Sequence, residues 1–203
     1  MGLSERERTG ERMQMDDNAA RMAASRRRIR RILLTAVIIM IACFAWMTYE
    51  LCTQRHAALP GEVILNGRMS FEKANEKMKN AGFVPMGEVR TLKDAVNQYY
   101  EGVDVCGYKT EYSYLTEGLD TESRSLQIVH VFKDTKASNL DNPGEICKAV
   151  VEGLTKSTGK DPEEGKDGFG TGRYWFWTLK GNAEAVLLYM GDENLMLTYV
   201  YSK

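Results

Sequence analysis

The sequence predicts an α+β protein: an N-terminal transmembrane helix, then a small domain in which helices pack on one face of an antiparallel sheet. Three observations predict it. Residues 32–49, ILLTAVIIMIACFAWMTY, carry no charged side chain. Beyond them, a helical pattern followed by strand-like segments occurs twice over. Turn-forming Gly, Asn and Asp punctuate the strand-like runs as in a meander. Grouped helices and strands, with no regular β-α-β alternation, belong to α+β architecture.

The first element is residues 1–31, which carry nine Arg against five acidic residues and few aromatic or β-branched side chains. Such a segment has too little apolar surface to repay the entropy of ordering, so it is expected to be a disordered basic cytoplasmic tail. The apolar run that follows would reach roughly 27 Å as a helix, close to the roughly 30 Å hydrocarbon core of a bilayer. Residues 32–52 are therefore expected to form a transmembrane signal-anchor. Its direction comes from Arg26, Arg27, Arg28, Arg30 and Arg31 just before it, against Arg55 alone just after it. Positive flanks stay inside, so the N-terminus is expected in the cytoplasm and residues 53–203 outside a plasma membrane. Three processing patterns compete with retention of the anchor. They are a cleaved signal peptide, a lipobox-like Met40-Ile41-Ala42-Cys43, and a twin-arginine-like Ser25-Arg26-Arg27. All three leave the C-terminal domain outside. The length of the leader and of the run, Met40 at the lipobox start and Arg30 within the twin-arginine pattern favour a retained anchor.

In residues 53–203, Glu62–Leu65 reads as a brief strand and Asn66-Gly67 as a turn. Ser70 caps a helix with Phe71, Ala74 and Met78 on its apolar stripe, and Gly82 ends it. Thr91–Tyr100 repeats a helical stripe through Leu92, Ala95, Val96, Tyr99 and Tyr100, although its Val and Tyr residues suit a strand equally. Val105–Leu115 and Ser125–Lys133 alternate as a hairpin. Asn142-Pro143-Gly144-Glu145 starts a helix to about Thr155, with Ile146, Ala149, Val150 and Leu154 inward. After a loop over Lys156–Thr171, Gly172–Leu179, Ala183–Met190 and Leu195–Tyr201 form a meander. The order resembles that of small extracytoplasmic domains of β-lactamase-inhibitor type and of outer-membrane assembly lipoproteins, in architecture alone and through no shared motif.

Charge and motif content narrow the function. The outer domain holds 18 basic against 22 acidic residues, a net of −4, which disfavours nucleic acid. Cys106 and Cys147 form a candidate disulfide in an oxidising compartment, with two buried thiols as the alternative. His130, in line with Ile128 and Phe132, reads as a core histidine rather than a partner for a Cys106 nucleophile. Ser70 and Lys73 have the spacing of an SxxK motif, but the remaining elements of that enzyme family are missing and Ser70 reads as a helix cap. Gly168–Gly172 leads into an aromatic strand rather than the helix a phosphate loop needs. Asp161, Glu163, Glu164 and Asp167 lack EF-hand spacing. No cofactor or metal is expected.

The strongest functional feature is aromatic density. Tyr108, Tyr112 and Tyr114 share one strand parity, and Arg173-Tyr174-Trp175-Phe176-Trp177 puts rings on both faces of another strand. Tyr112, Tyr114, Trp175 and Trp177 are thus a candidate aromatic binding face, of residue types favoured at protein contacts. The expected function is a noncatalytic binding or assembly module, tied to the lipid bilayer and directed at an envelope protein or polymer. The alternative is an anchored envelope hydrolase using the acidic loop Asp161–Asp167. A ligand sensor signalling through the span is a third reading.

Overall fold

The computed structural model describes residues 33–48, 58–118, 124–133, 140–166, 171–190 and 194–202. The tail, the arginines Arg26 to Arg31 and residues 49–57 lie outside them, so the topology signal is not described. The chain divides into two compact units, Met1–Cys52 and Thr53–Lys203.

In the first unit residues 33–48 are helical (α1), and every one is exposed, including Leu34, Ile38, Ile41, Phe44 and Trp46. Its described length is about 24 Å at 1.5 Å per residue. Among the described residues no helix is long and apolar enough to cross a membrane.

The second unit is an α+β domain whose main sheet has eight antiparallel strands. It opens with an extended segment around residues 59–65 and continues into α2 (Phe71–Asn80). Strands β1 (Pro85–Thr91), β2 (Ala95–Glu101), β5 (Tyr112–Gly118) and β6 (Ser125–Lys133) follow, with the small hairpin β3 (Asp104–Val105) and β4 (Tyr108–Lys109) inserted. Then come α3 (Glu145–Thr158), β7 (Glu163–Lys166), β8 (Arg173–Thr178), β9 (Ala183–Tyr189) and β10 (Asn194–Ser202). The sheet order is β1-β2-β5-β6-β10-β9-β8-β7. The helix-then-strands order that the sequence shows twice is thus two halves of one sheet. They join where β6 and β10 pair from Ser125 opposite Ser202 to Lys133 opposite Asn194.

Both helices contribute to a single core. Phe71, Ala74 and Met78 of α2 and Cys147, Val150 and Leu154 of α3 join Leu115, Ile128, Trp177, Leu187, Leu197 and Tyr199 from the sheet. Ser70 caps α2 as its residue type dictates, its Oγ accepting from the Lys73 amide at 3.5 Å. Glu145 opens α3 behind Gly144, which offers no side-chain cap, so Asn142 and Pro143 precede the helix rather than start it. The inward stripe of α3 is led by Cys147 in place of Ile146 and Ala149, which are half-buried.

Four expectations change. Residues 62–65 are extended but join no strand. Side chains hold the backbone here instead of a ladder: Tyr199 donates to the Pro60 carbonyl at 2.5 Å, and Tyr201 donates to the Val63 carbonyl at 2.9 Å. Thr91–Tyr100 is not helical. Its β-branched and aromatic side chains pair with β1 and β5, placing Val96, Gln98 and Tyr100 on one side and Asn97 and Tyr99 on the other. The expected strand Val105–Leu115 is broken at Cys106 and Gly107, with φ of 53° and 81°. Two successive positive φ values turn the chain as a tight hairpin, so Tyr108 leaves the strand of Tyr112 and Tyr114. The loop expected over 156–171 also contributes β7, a short edge strand paired with β8.

Candidate functional site

Residues directly opposite one another in a ladder project to the same side, so the registers divide the sheet into two faces. On the covered face run Gln98, Leu115, Ile128, Tyr199, Ala185 and Trp177, and beside them Tyr100, Ser113, His130, Leu197, Leu187 and Trp175. All of these are buried beneath α2, α3 and the 59–65 segment. Trp175 and Trp177 are 3% and 2% exposed, so the structure separates the two tryptophans from Tyr112 and Tyr114. In the segment RYWFWT both parities are aromatic, and alternation alone does not say which one enters the core.

The opposite face is a lattice of three rows across the strands. The first is polar: Arg90, Asn97, Thr116, Gln127, Val200, Glu184 and Thr178. The second is Met86, Tyr99, Tyr114, Val129, Thr198, Val186, Phe176 and Glu163. The third is Glu101, Tyr112, Val131, Met196, Leu188, Tyr174 and Gly165. None of these side chains joins the core cluster. Most are half-exposed, although Val129, Val131 and Asn97 are buried, and among the described residues of this unit no helix lies over this face.

The second and third rows make an apolar band, bounded by Glu101 and Glu163 at its corners and by the polar first row. At its β2–β5 end, Tyr99, Tyr112 and Tyr114 gather with ring centroids 5.4 to 6.3 Å apart. The Arg90 guanidinium lies 5.7 Å from the Tyr99 ring, a cation–π distance. Burial pushes the Tyr114 phenol up, and the neighbouring Tyr112 and Tyr99 push it the same way. Tyr114 therefore remains a neutral donor at physiological pH. At the β7–β8 end the Tyr174 ring lies across Gly165, where a Cβ would meet it. Asn97, 8% exposed in the polar row, has an Oδ1 with no hydrogen-bond partner.

Sequence reasoning misses Tyr99, Tyr174, Phe176, Val186, Leu188 and Met196 as members of this face. Tyr99 is lost to the helical reading of its segment. The others carry the alternation that would have placed them, once a core parity was known.

The remaining candidates lie apart from this face. A groove of about 880 Å³ runs between α3 and the β7–β8 edge, lined by Lys148, Glu152, Lys156, Asp161, Glu164 and Arg173 among others. Arg173 is held in it, donating to Glu164 at 2.7 Å and lying over the Trp175 ring at 4.9 Å. Glu164 pairs with Trp175 on the covered side and lines the groove with Asp161, whereas Glu163 pairs with Phe176 on the open side and stands apart from them. Asp167 and the glycines 168–170 lie outside the described residues. Among the described residues no group of three His, Cys, Asp or Glu side chains is placed to hold a metal ion.

His130 is fully buried, with Nδ1 2.8 Å from Ser113 Oγ and Nε2 2.8 Å from the Gly61 carbonyl. The carbonyl accepts only, which fixes Nε2 as the donor and leaves Nδ1 to accept from the serine. Burial pulls its pKa down to about 4, against a smaller upward effect of the Gly61 hydrogen bond. This is a neutral pin for the 59–65 segment, with no path to substrate. Cys106 and Cys147 are both thiols. The Cys106 sulfur lies where a Cβ on Gly153 would stand, six residues along α3 from Cys147. At 1.5 Å per residue that is about 9 Å of helix, which keeps the two apart.

No protein-family model matches the chain, and no curated protein or solved structure matches it.

Proposed function

We propose that this chain is a membrane-anchored, noncatalytic docking module whose open sheet face binds a protein of the cell envelope. The observation that carries this reading is the one-sided sheet. Two helices cover one face, while the other keeps a band of Tyr, Phe, Val, Leu and Met side chains half-exposed within a polar margin. An apolar centre with a polar rim and an excess of tyrosine is the composition of a protein contact. Soluble monomers rarely leave so large an apolar patch uncovered.

The anchor is residues 32–52, with the N-terminus cytoplasmic and the docking domain on the extracytoplasmic side. Support comes from the charge-free run, from the arginines before it, and from α1, which is apolar around its whole circumference. Against the hydrolase alternative, Glu163 and Glu164 project to opposite faces and Glu164 is engaged by Arg173, which argues against these two acting together as acid and base.

The test is capture of envelope proteins by the 53–203 fragment, comparing the parent with Tyr114→Glu. A reproducible partner that the variant fails to retain is the expected result. A folded parent fragment that retains nothing, or a variant that retains the same partner equally, refutes the proposal.

A further inference from the structure

Resting on the docking reading, we propose that the occupant of the open face is a second copy of this chain, packed face to face about a twofold axis along the strands. Three features of the face argue for it.

The first is area. Eight strands at about 4.8 Å spacing and about 3.3 Å per residue make a face roughly 34 Å wide and roughly 23 Å long. Its projected area, on the order of 800 Å², is what a standard-size interface asks of each partner.

The second is shape and side-chain type. A twofold axis along the strands reverses strand order while preserving the rows. It lays β2 of one copy over β8 of the other, β5 over β9 and β6 over β10. Tyr99 then meets Phe176 and Tyr174, and Tyr112 and Tyr114 meet Leu188 and Val186. At the centre, Thr198 and Met196 meet the strand of Val129 and Val131, whose side chains are already buried among their neighbours. The half of the face carrying the tyrosine cluster is placed on the half that is mostly aliphatic. Such stacking of two twisted sheets is an ordinary sandwich packing, with about 10 Å between layers.

The third is charge. Arg90 stands at the β1 end of the face, while Glu163 and Glu184 stand toward the β7 end. Reversing strand order brings Arg90 of each copy toward Glu163 and Glu184 of the other, twice per dimer. The β1 end also holds Glu88, in the irregular middle of β1, and Glu101, which comes to the side of Tyr174, whose hydroxyl can donate to it.

The test uses the full chain in detergent micelles, with mass measured by sedimentation equilibrium. The parent is expected to be a dimer. Tyr114→Glu places a charge inside the contact and is expected to weaken it by at least about a hundredfold. Arg90→Glu and Glu184→Arg alter exposed or half-exposed side chains, so folding is preserved. Each alone is expected to weaken the dimer, and an equimolar mixture of the two to recover it. A monomeric parent overturns the proposal, as does a dimer that Tyr114→Glu leaves intact. If the parent is monomeric but Tyr114→Glu abolishes capture of a different envelope protein, self-association fails and the docking reading stands. If the parent is monomeric and the variant captures the same proteins as the parent, both fail.

Discussion

Acid should destabilise the outer domain through His130. In the fold its imidazole is closed off from water, with Ser113 on one nitrogen and the Gly61 carbonyl on the other. Its pKa falls from 6.5 to about 4, chiefly through burial. The unfolded chain therefore binds a proton that the folded chain refuses between those values, and stability falls as pH falls through this window. Taking 6.5 for the unfolded state and about 4 for the fold, the loss between pH 7.5 and pH 5 is about 2 kcal/mol. It approaches about 3 kcal/mol below pH 4, since a tenfold difference in proton affinity between the two states is worth about 1.4 kcal/mol. Urea unfolding of the 53–203 fragment at several pH values measures it. His130→Gln, which cannot titrate, should start less stable at pH 7.5 but lose this component of the slope. The reasoning is refuted if parent and variant lose the same stability between pH 7.5 and pH 5.

Other predictions separate the faces and test the packing. Trp177→Ala should cost about 3–5 kcal/mol in urea unfolding, the usual toll of an aromatic removed from a core, whereas Tyr112→Ala on the open face should cost about 1 kcal/mol or less. Equal costs would mean that the faces are misassigned. Tyr199→Phe leaves the Pro60 carbonyl without its donor and should cost about 1–2 kcal/mol. It should also speed amide exchange in residues 59–65 more than elsewhere. Denatured without reductant, the 53–203 fragment should yield both Cys106 and Cys147 to a maleimide. A mass showing them joined would contradict the separation set by α3.

Much of the architecture was legible because local chemistry and tertiary packing agree. Ser70 both caps α2 and precedes its apolar stripe, and β6, β8, β9 and β10 fall within a residue or two of their alternating segments. Legibility failed where one residue set satisfies two periods. Val96, Tyr99 and Tyr100 fit a helical stripe on paper, yet the ladder turns Tyr99 away from the other two. At residues 62–65 alternation is real, with Val63 and Leu65 buried, but hydrogen bonds reach the segment from Lys77 on α2 and from Tyr201 at the far end of the chain, which no local window contains. The candidate site was half legible for the same reason. Strand parity identifies Tyr112 and Tyr114 as neighbours, but which parity faces the helices depends on strand pairing across the whole sheet. The tryptophans, chosen for their chemistry, are the largest rings available and went to the core.

The central claim is that the Tyr99, Tyr112 and Tyr114 face is covered in its working state. Hydroxyl-radical footprinting tests it most directly, comparing the dilute 53–203 fragment with the full chain in its native membranes. These three tyrosines should be oxidised readily in the fragment and protected in the membrane, while Met69 and Tyr108, half-buried against the core and off this face, react equally in both. Equal oxidation of the three tyrosines in both preparations would contradict it.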